Sequence, residues 1–177
     1  MWPYKFILHL TKSALKTGLV NLQTHTPVTA VKTLPGGGFL VETLRGTTKA
    51  KKVVYANNAY VAGLLPEYSA NIVPCKGICC HITVPENSTA PFLNNSYIIR
   101  TPDGIGLDYL IPRADGSIVV GGASQEFKAH RDQWYNNIDD SVLIDSAKDY
   151  YVNYMQRTFR GWDSTGAKVN KIWTGGK

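Results

Sequence analysis

The sequence has no run of about 18 apolar residues, which excludes a membrane-spanning helix. Its opening residues show no basic flank followed by an apolar core and a small-residue cleavage site, so no secretory leader is expected. Cysteine is scarce: Cys75, Cys79 and Cys80 are odd in number and lie on one strand-like segment, where the adjacent Cys79 and Cys80 point to opposite faces. A disulfide framework is therefore not expected. No second Cys/His pair at zinc spacing follows, so no metal site is expected either. The plainer reading is thiols acting as small hydrophobes in a reducing compartment, which places the chain in the cytoplasm. A GxGxxG turn between strand and helix, the usual cradle for a pyrophosphate, is missing. Gly104-Ile105-Gly106 lacks the third glycine and lies between strand-like segments, and the acidic residue that would follow such a fingerprint is absent too.

Acids are also few, 13 against 19 basic residues, for a net charge of +6. Apart from Lys49, Lys51 and Lys52 the lysines are scattered, with no basic stripe and no interleaved aromatics, so no nucleic-acid partner is expected. His9, His25, His81 and His130 form no spaced pair, and no Ser/His/Asp arrangement stands out. Asn87-Ser88-Thr89 and Asn94-Asn95-Ser96 match the glycosylation pattern, but without a leader the match has no route to modification.

What the sequence does have is the composition of one soluble globular core, 44% hydrophobic and 18% charged. Pro3 suits a first helical turn, and Phe6, Ile7, Leu10, Ala14 and Leu15 recur on one face until Gly18, which predicts a helix over 3–17. A short strand is expected at Val20 to Thr24. Val28 to Leu34 and Phe39 to Leu44 read as a hairpin across Pro35-Gly36-Gly37-Gly38, with Thr47 to Ala50 as a third strand. A strand rather than a helix follows those glycines, so they are turn residues and not a phosphate loop. Lys51 to Tyr60 reads as a buried strand, Val53 to Ala56, ending at Asn57 and Asn58. It has the pattern of a parallel-sheet strand whose C-terminal end would meet a ligand, and equally of a plain core strand with a turn. Val20–Thr24 and Val53–Ala56 are expected to be neighbouring layers of one α/β region. Short strands follow at 78–84, 97–101, 109–112 and 117–120, separated by Pro85, Pro91, Pro102-Asp103-Gly104 and Ala114-Asp115-Gly116, which predicts an antiparallel sheet. Leu143, Ala147, Tyr150, Tyr151, Tyr154 and Thr158 hold helical spacing and predict one long helix over 140–160. A last strand is expected at Lys168 to Thr174.

The order of these segments, with THTPV around Val28, VVYANNAY, Pro74-Cys75-Lys76-Gly77, Tyr109-Leu110-Ile111-Pro112-Arg113 and Val119-Val120-Gly121-Gly122, resembles the middle of FAD-dependent oxidoreductases of the D-amino-acid oxidase and sarcosine oxidase family. The resemblance implies an α/β plus α+β fold: a partial FAD-binding, Rossmann-like domain with a β-meander over 1–77, an antiparallel substrate domain with a packed helix over 78–166, and a return strand over 167–177. It implies FAD as cofactor, with Val28, Ala56, Asn57, Asn58 and Tyr60 beside the adenosine and pyrophosphate. Asn57 stands where the family has threonine. Lys76 replaces the arginine of the family's Pro-x-Arg-Gly-Gln, and Ile78 the glutamine. Tyr109 and Arg113, mostly structural in the family, are the candidate substrate contacts, and no catalytic residue is assigned. Trp173-Thr174-Gly175 matches the family's Trp-x-Gly turn, after which the substrate-carboxylate arginine would follow.

The implied activity is oxidation of a C–N bond in an amine or amino acid. The chain is expected to be a fragment that retains FAD poorly and self-associates, the alternative being an inactive remnant or truncated gene product.

Overall fold

The computed structural model describes residues 2–101 and 104–176, so most of the turn read at Pro102-Asp103-Gly104 lies outside the described residues. Residues up to Tyr55 form one compact unit and those from Ala56 onward a second.

The first unit opens with helix α1, Pro3–Lys16, in which Pro3 supplies a pre-set φ at the first turn. Gly18, at φ +73, follows the helix end in the left-handed conformation that stops it. None of the helix's residues is buried, and Phe6, Ile7, Leu8 and Leu10 all face outward. Three strands then make an antiparallel meander: β1 (Val28–Thr33), β2 (Phe39–Thr43) and β3 (Gly46–Ala50), in the order β1-β2-β3. The β1–β2 turn closes with the Leu34 N–H donating to the Gly38 carbonyl at 3.0 Å. Gly37 and Gly38 both take positive φ there, so the glycine run is turn chemistry, as its setting between strands implies.

Two expected strands do not form. Val20 to Thr24 is irregular: the Asn21 and Gln23 side chains bond to each other at 2.6 Å and Thr26 bonds the Thr24 carbonyl, so local contacts replace a ladder. Val53 to Ala56 pairs with no strand among the described residues, and Val54 is 87% exposed, so the reading of a buried parallel strand is corrected. An apolar run specifies a strand only where a neighbour supplies its hydrogen bonds. The expectation that the two segments are neighbouring layers of one α/β region is accordingly not met, since neither forms a strand.

The second unit is built on a five-stranded antiparallel sheet, ordered β5-β6-β7-β4-β8, from β4 (Lys76–Thr83), β5 (Tyr97–Arg100), β6 (Leu107–Pro112), β7 (Ile118–Gly122) and β8 (Lys168–Gly176). Along β4 every second residue is buried, the period-2 pattern of a sheet with one covered face. Ile78, Cys80 and Ile82 join Leu110 of β6 and Ile118 and Val120 of β7 on that face. They pack against Ile144, Ala147, Tyr151, Tyr154, Met155 and Trp162, and against Phe127 of the short helix α2 (Ser124–Phe127). A second short helix, α3 (Arg131–Trp134), follows. The protein is thus mixed α/β, with antiparallel sheets and few helices, the class expected of it.

Residues 140–160 do not form one helix. A 3-10 turn at Asp145–Ala147 leads through irregular turns to the short helix α4, Tyr154–Thr158. The break falls at Asn153, whose φ of +52 is left-handed. The Arg157 guanidinium bonds to the carbonyls of Tyr150 and Val152, which a continuous helix would have paired with backbone N–H groups. The spacing nevertheless picked out buried residues, since Ala147, Tyr151 and Tyr154 all reach the core.

Trp173-Thr174-Gly175 is not a turn but part of β8, paired with Cys79, Ile78 and Gly77. Thr174 is buried and donates to the Asp140 carbonyl at 2.7 Å. Beside it the buried Lys76 donates to the carbonyls of Asp139 and Val142, each at 2.8 Å, and this lysine pins the 139–142 loop against the sheet.

Burial pushes the Cys80 thiol up to about 12 from its usual 9.0. It also pushes the Tyr150 phenol up to about 12 from 10.0, with Asp108 adding to the rise, and raises Tyr151 and Tyr154. The folded chain therefore holds these protons more tightly than the unfolded chain. The stability they contribute is complete below the unfolded values and is lost as the pH climbs through the folded ones. We expect urea midpoints to fall steadily from pH 9.0 toward about 12. Midpoints unchanged across that range would contradict this.

Candidate functional site

Two places in the second unit carry all but Val28 of the residues singled out by the sequence. The first is the entry to a 3-10 turn at Asn58–Gly63, where Asn57 takes the N-cap position and its carbonyl accepts from the Tyr60 N–H at 3.1 Å. Asn58 adopts φ +49, a conformation that asparagine tolerates better than most residues. Ala56 is exposed and Ala59 buried. The Asn57 side-chain oxygen is buried and has no hydrogen-bond partner among the described residues. A buried acceptor left unpaired costs about 1–3 kcal/mol. Tyr60 lies against the end of β8, close enough that a Cβ added at Gly176 would sit 2.6 Å from its hydroxyl. Val28 lies in the first unit as the opening residue of β1, paired with Thr43 and 37% exposed.

The second place is the sheet face opposite the core. Register puts Tyr109, Gly121, Cys79 and Trp173 in one row across β6, β7, β4 and β8, and Ile111, Val119, His81 and Lys171 in the next. The Tyr109 ring lies over Gly121, where an added Cβ would come within 2.3 Å of its hydroxyl. Glycine is what allows the phenol to reach Cys79 Sγ at 3.0 Å. Burial first, and then the Cys79 contact, push the Tyr109 phenol well above its ordinary range, so it stays protonated.

Beyond that row an open pocket of about 410 Å³ is lined by His81, Arg113, Val119, Lys171 and Trp173. Arg113 reaches Asp115 at 3.4 Å and His81 Nε2 at 3.5 Å, and the Asn170 amide lies 3.4 Å from His81 Nδ1. Tyr109 and Arg113 therefore share one face, as do His81, Lys171 and Trp173, which sequence reasoning had not placed there.

On the covered side of β6 is Asp108, 1% exposed. Its Oδ2 accepts from the hydroxyls of Tyr150 at 2.6 Å and Tyr154 at 2.8 Å, and its Oδ1 from the Ala123 N–H at 2.8 Å. The sequence held a signal for it: Asp108 shares strand parity with Leu110, so a carboxylate stands where an apolar residue belongs. Ala123, at φ +57, begins the turn into α2, and Asp108 holds that strained residue in place. Among the described residues no group of three His, Cys, Asp or Glu could hold a metal, and no helix is long and apolar enough to cross a membrane.

Residues 1–176 match the family model described as FAD dependent oxidoreductase. Among solved structures the chain is similar to glycine oxidase from Geobacillus kaustophilus, with a TM-score of 0.55 and 19% identity over 89% of this chain and 37% of that one. It thus spans little more than a third of the length of that enzyme, and at this identity the likeness is one of fold. Comparison with curated proteins gives no match.

Proposed function

We propose, because this chain belongs to the family of FAD-dependent oxidoreductases, that it serves the flavin-linked oxidation of a C–N bond in an amine or amino acid. The observation that carries this reading onto the chain's own residues is the buried, unpaired oxygen of Asn57. It fits the hydroxyl and amine donors of an adenosine group. Exposed Ala56 leaves its backbone approachable, Asn58 turns the chain in a left-handed conformation, and Tyr60 completes the set in this unit that would hold the adenosine and pyrophosphate. FAD, when bound, supplies the acceptor for the hydride leaving the amine-bearing carbon. The protein's part is orientation: Tyr109 presents a neutral phenol over Gly121, and Arg113 a cation further along the same face.

These residues hold FAD weakly by themselves. The sequence offers no GxGxxG turn, so the pyrophosphate lacks the helix N-terminus that usually compensates its charge. In a titration followed by flavin fluorescence, we expect FAD to bind the full chain and to be lost on desalting. Asn57→Ala should weaken binding about tenfold, the loss of roughly one hydrogen bond. No binding by the wild type, or equal binding by Asn57→Ala, would overturn the assignment of Asn57. A protein still yellow after desalting would overturn the claim of weak retention.

A further inference from the structure

We propose that α1 is a membrane-surface anchor, lying flat in the headgroup region of a bilayer that carries anionic lipid. The helix, Pro3–Lys16, is uncovered on nearly every side: only Thr11 and Ala14 are even half-buried, and Phe6, Ile7 and Leu10 stand 48%, 57% and 50% exposed. Winding at about 3.6 residues per turn gathers Pro3, Phe6, Ile7, Leu10 and Ala14 on one face and Lys5, Lys12 and Lys16 in a stripe on the other. Trp2 and Tyr4, both exposed, stand at the start of the helix, and such rings settle where an apolar body meets hydrocarbon and a polar tip meets water. The apolar surface runs on past the helix end, where Leu19 is 91% exposed.

Charge decides what covers this face. The helix contains no acid, and the first acid in the chain is Glu42, which is bonded to Lys32. Among the described residues no ion pair involves Lys5, Lys12 or Lys16. Lys5 does lie over the Trp2 ring at 4.1 Å, a contact that holds its ammonium near the helix start without neutralising it. A second copy of the chain would offer the same apolar face, but only further cations beside it. A bilayer with anionic headgroups offers both partners, since the lysines reach the headgroups from a helix whose apolar face is sunk about 5–10 Å into the acyl boundary. The helix has 14 residues, and a bilayer span needs about 20, so it lies on the membrane rather than through it.

The test is flotation of the full chain with phosphatidylcholine vesicles containing about 30% phosphatidylserine. We expect the chain to float with them and to bind less as salt screens the lysines. Vesicles of phosphatidylcholine alone should bind it about a hundredfold more weakly, roughly fivefold for each lysine. Lys5→Gln/Lys12→Gln/Lys16→Gln should show the same loss on the mixed vesicles, and the variant with arginine at the three positions should bind as the wild type does. Ile7→Gln/Leu10→Gln, which keeps every charge, should weaken binding by about tenfold or more. Glutamine is a good helix former and all five positions are exposed, so equal melting temperatures will show that folding is intact. Absence of binding to the mixed vesicles, or binding undiminished in the lysine-to-glutamine variant, overturns the proposal. Binding that the Ile7→Gln/Leu10→Gln variant retains in full would mean adsorption by charge alone, and overturns it too. A chain that runs as a dimer on gel filtration and leaves the vesicles empty assigns the face to a second copy instead.

Discussion

Replacing Asp108 by leucine is expected to destabilise the chain by about 3–5 kcal/mol, a large part of the roughly 5–15 kcal/mol that a domain commonly has. The carboxylate accepts three hydrogen bonds, from Tyr150, Tyr154 and the Ala123 N–H. Leucine would relieve the cost of burying a charge, which favours the variant. It would also strand the buried Tyr154 hydroxyl and the N–H of fully buried Ala123, at about 1–3 kcal/mol each. The released Ala123 would no longer be held at its left-handed φ. Orphaned donors outweigh the relief because they stay buried after the charge has gone. Asn at the same position keeps an oxygen for the Ala123 N–H, and its amide can donate to the tyrosine oxygens although it cannot accept from their hydroxyls, so Asp108→Asn should lose less than the leucine variant, about 1–3 kcal/mol. Urea unfolding measures both. A leucine variant with the wild-type midpoint would show that the network does not hold the sheet to the helices.

The next largest effect is expected from Gly122→Ala. Gly122 has φ +133, and an added Cβ would lie 2.3 Å from Asp108 Oδ1 and 2.6 Å from the Leu107 carbonyl. Two of the atoms in its way, that carbonyl and the Asp108 Cα at 2.7 Å, belong to the backbone of β6 and cannot rotate aside. Backbone strain of about 1–3 kcal/mol adds to overpacking of about the same size, for a loss of about 3 kcal/mol or more. Gly77→Ala is the control: it is also a strand glycine, but nothing lies within 4 Å of its added Cβ. We expect Gly77→Ala to melt at or slightly above the wild-type temperature and Gly122→Ala far below it. Equal melting temperatures for the two variants would mean that β6 yields easily.

The parts of this fold legible in the sequence are those whose signals are local. The β1–β2 hairpin announces itself by alternation across a glycine turn, and the strands from Ile78 to Val120 by short apolar runs between Pro, Asp and Gly. The helix over 140–160 was misread because tyrosines at helical spacing line a series of turns equally well once Arg157 takes the carbonyls a helix would use. Val53 to Ala56 failed for a different reason: a strand is a relation between two segments, and its own residues carry no record of the partner. The candidate site divides in the same way. Asn57 and Asn58 stood out because they end an apolar run. His81 did not, because Arg113 approaches it from 32 residues away and only the pairing of β4, β7 and β6 brings the two together.

The strict alternation along β4 has a consequence for how such a chain can change over time. Lys76, Ile78, Cys80 and Ile82 answer to the core, while Gly77, Cys79 and His81 answer to whatever lies on the open face. Neighbours in the sequence are thus under separate selective pressures, because the backbone between them is fixed by partners on both sides. New recognition chemistry can be tried at the odd-numbered positions with no penalty in the interior. A single-residue insertion, in contrast, would exchange the two sets and forfeit both at once. Diversification on this surface is therefore confined to substitution, and length variation is pushed out to the loops.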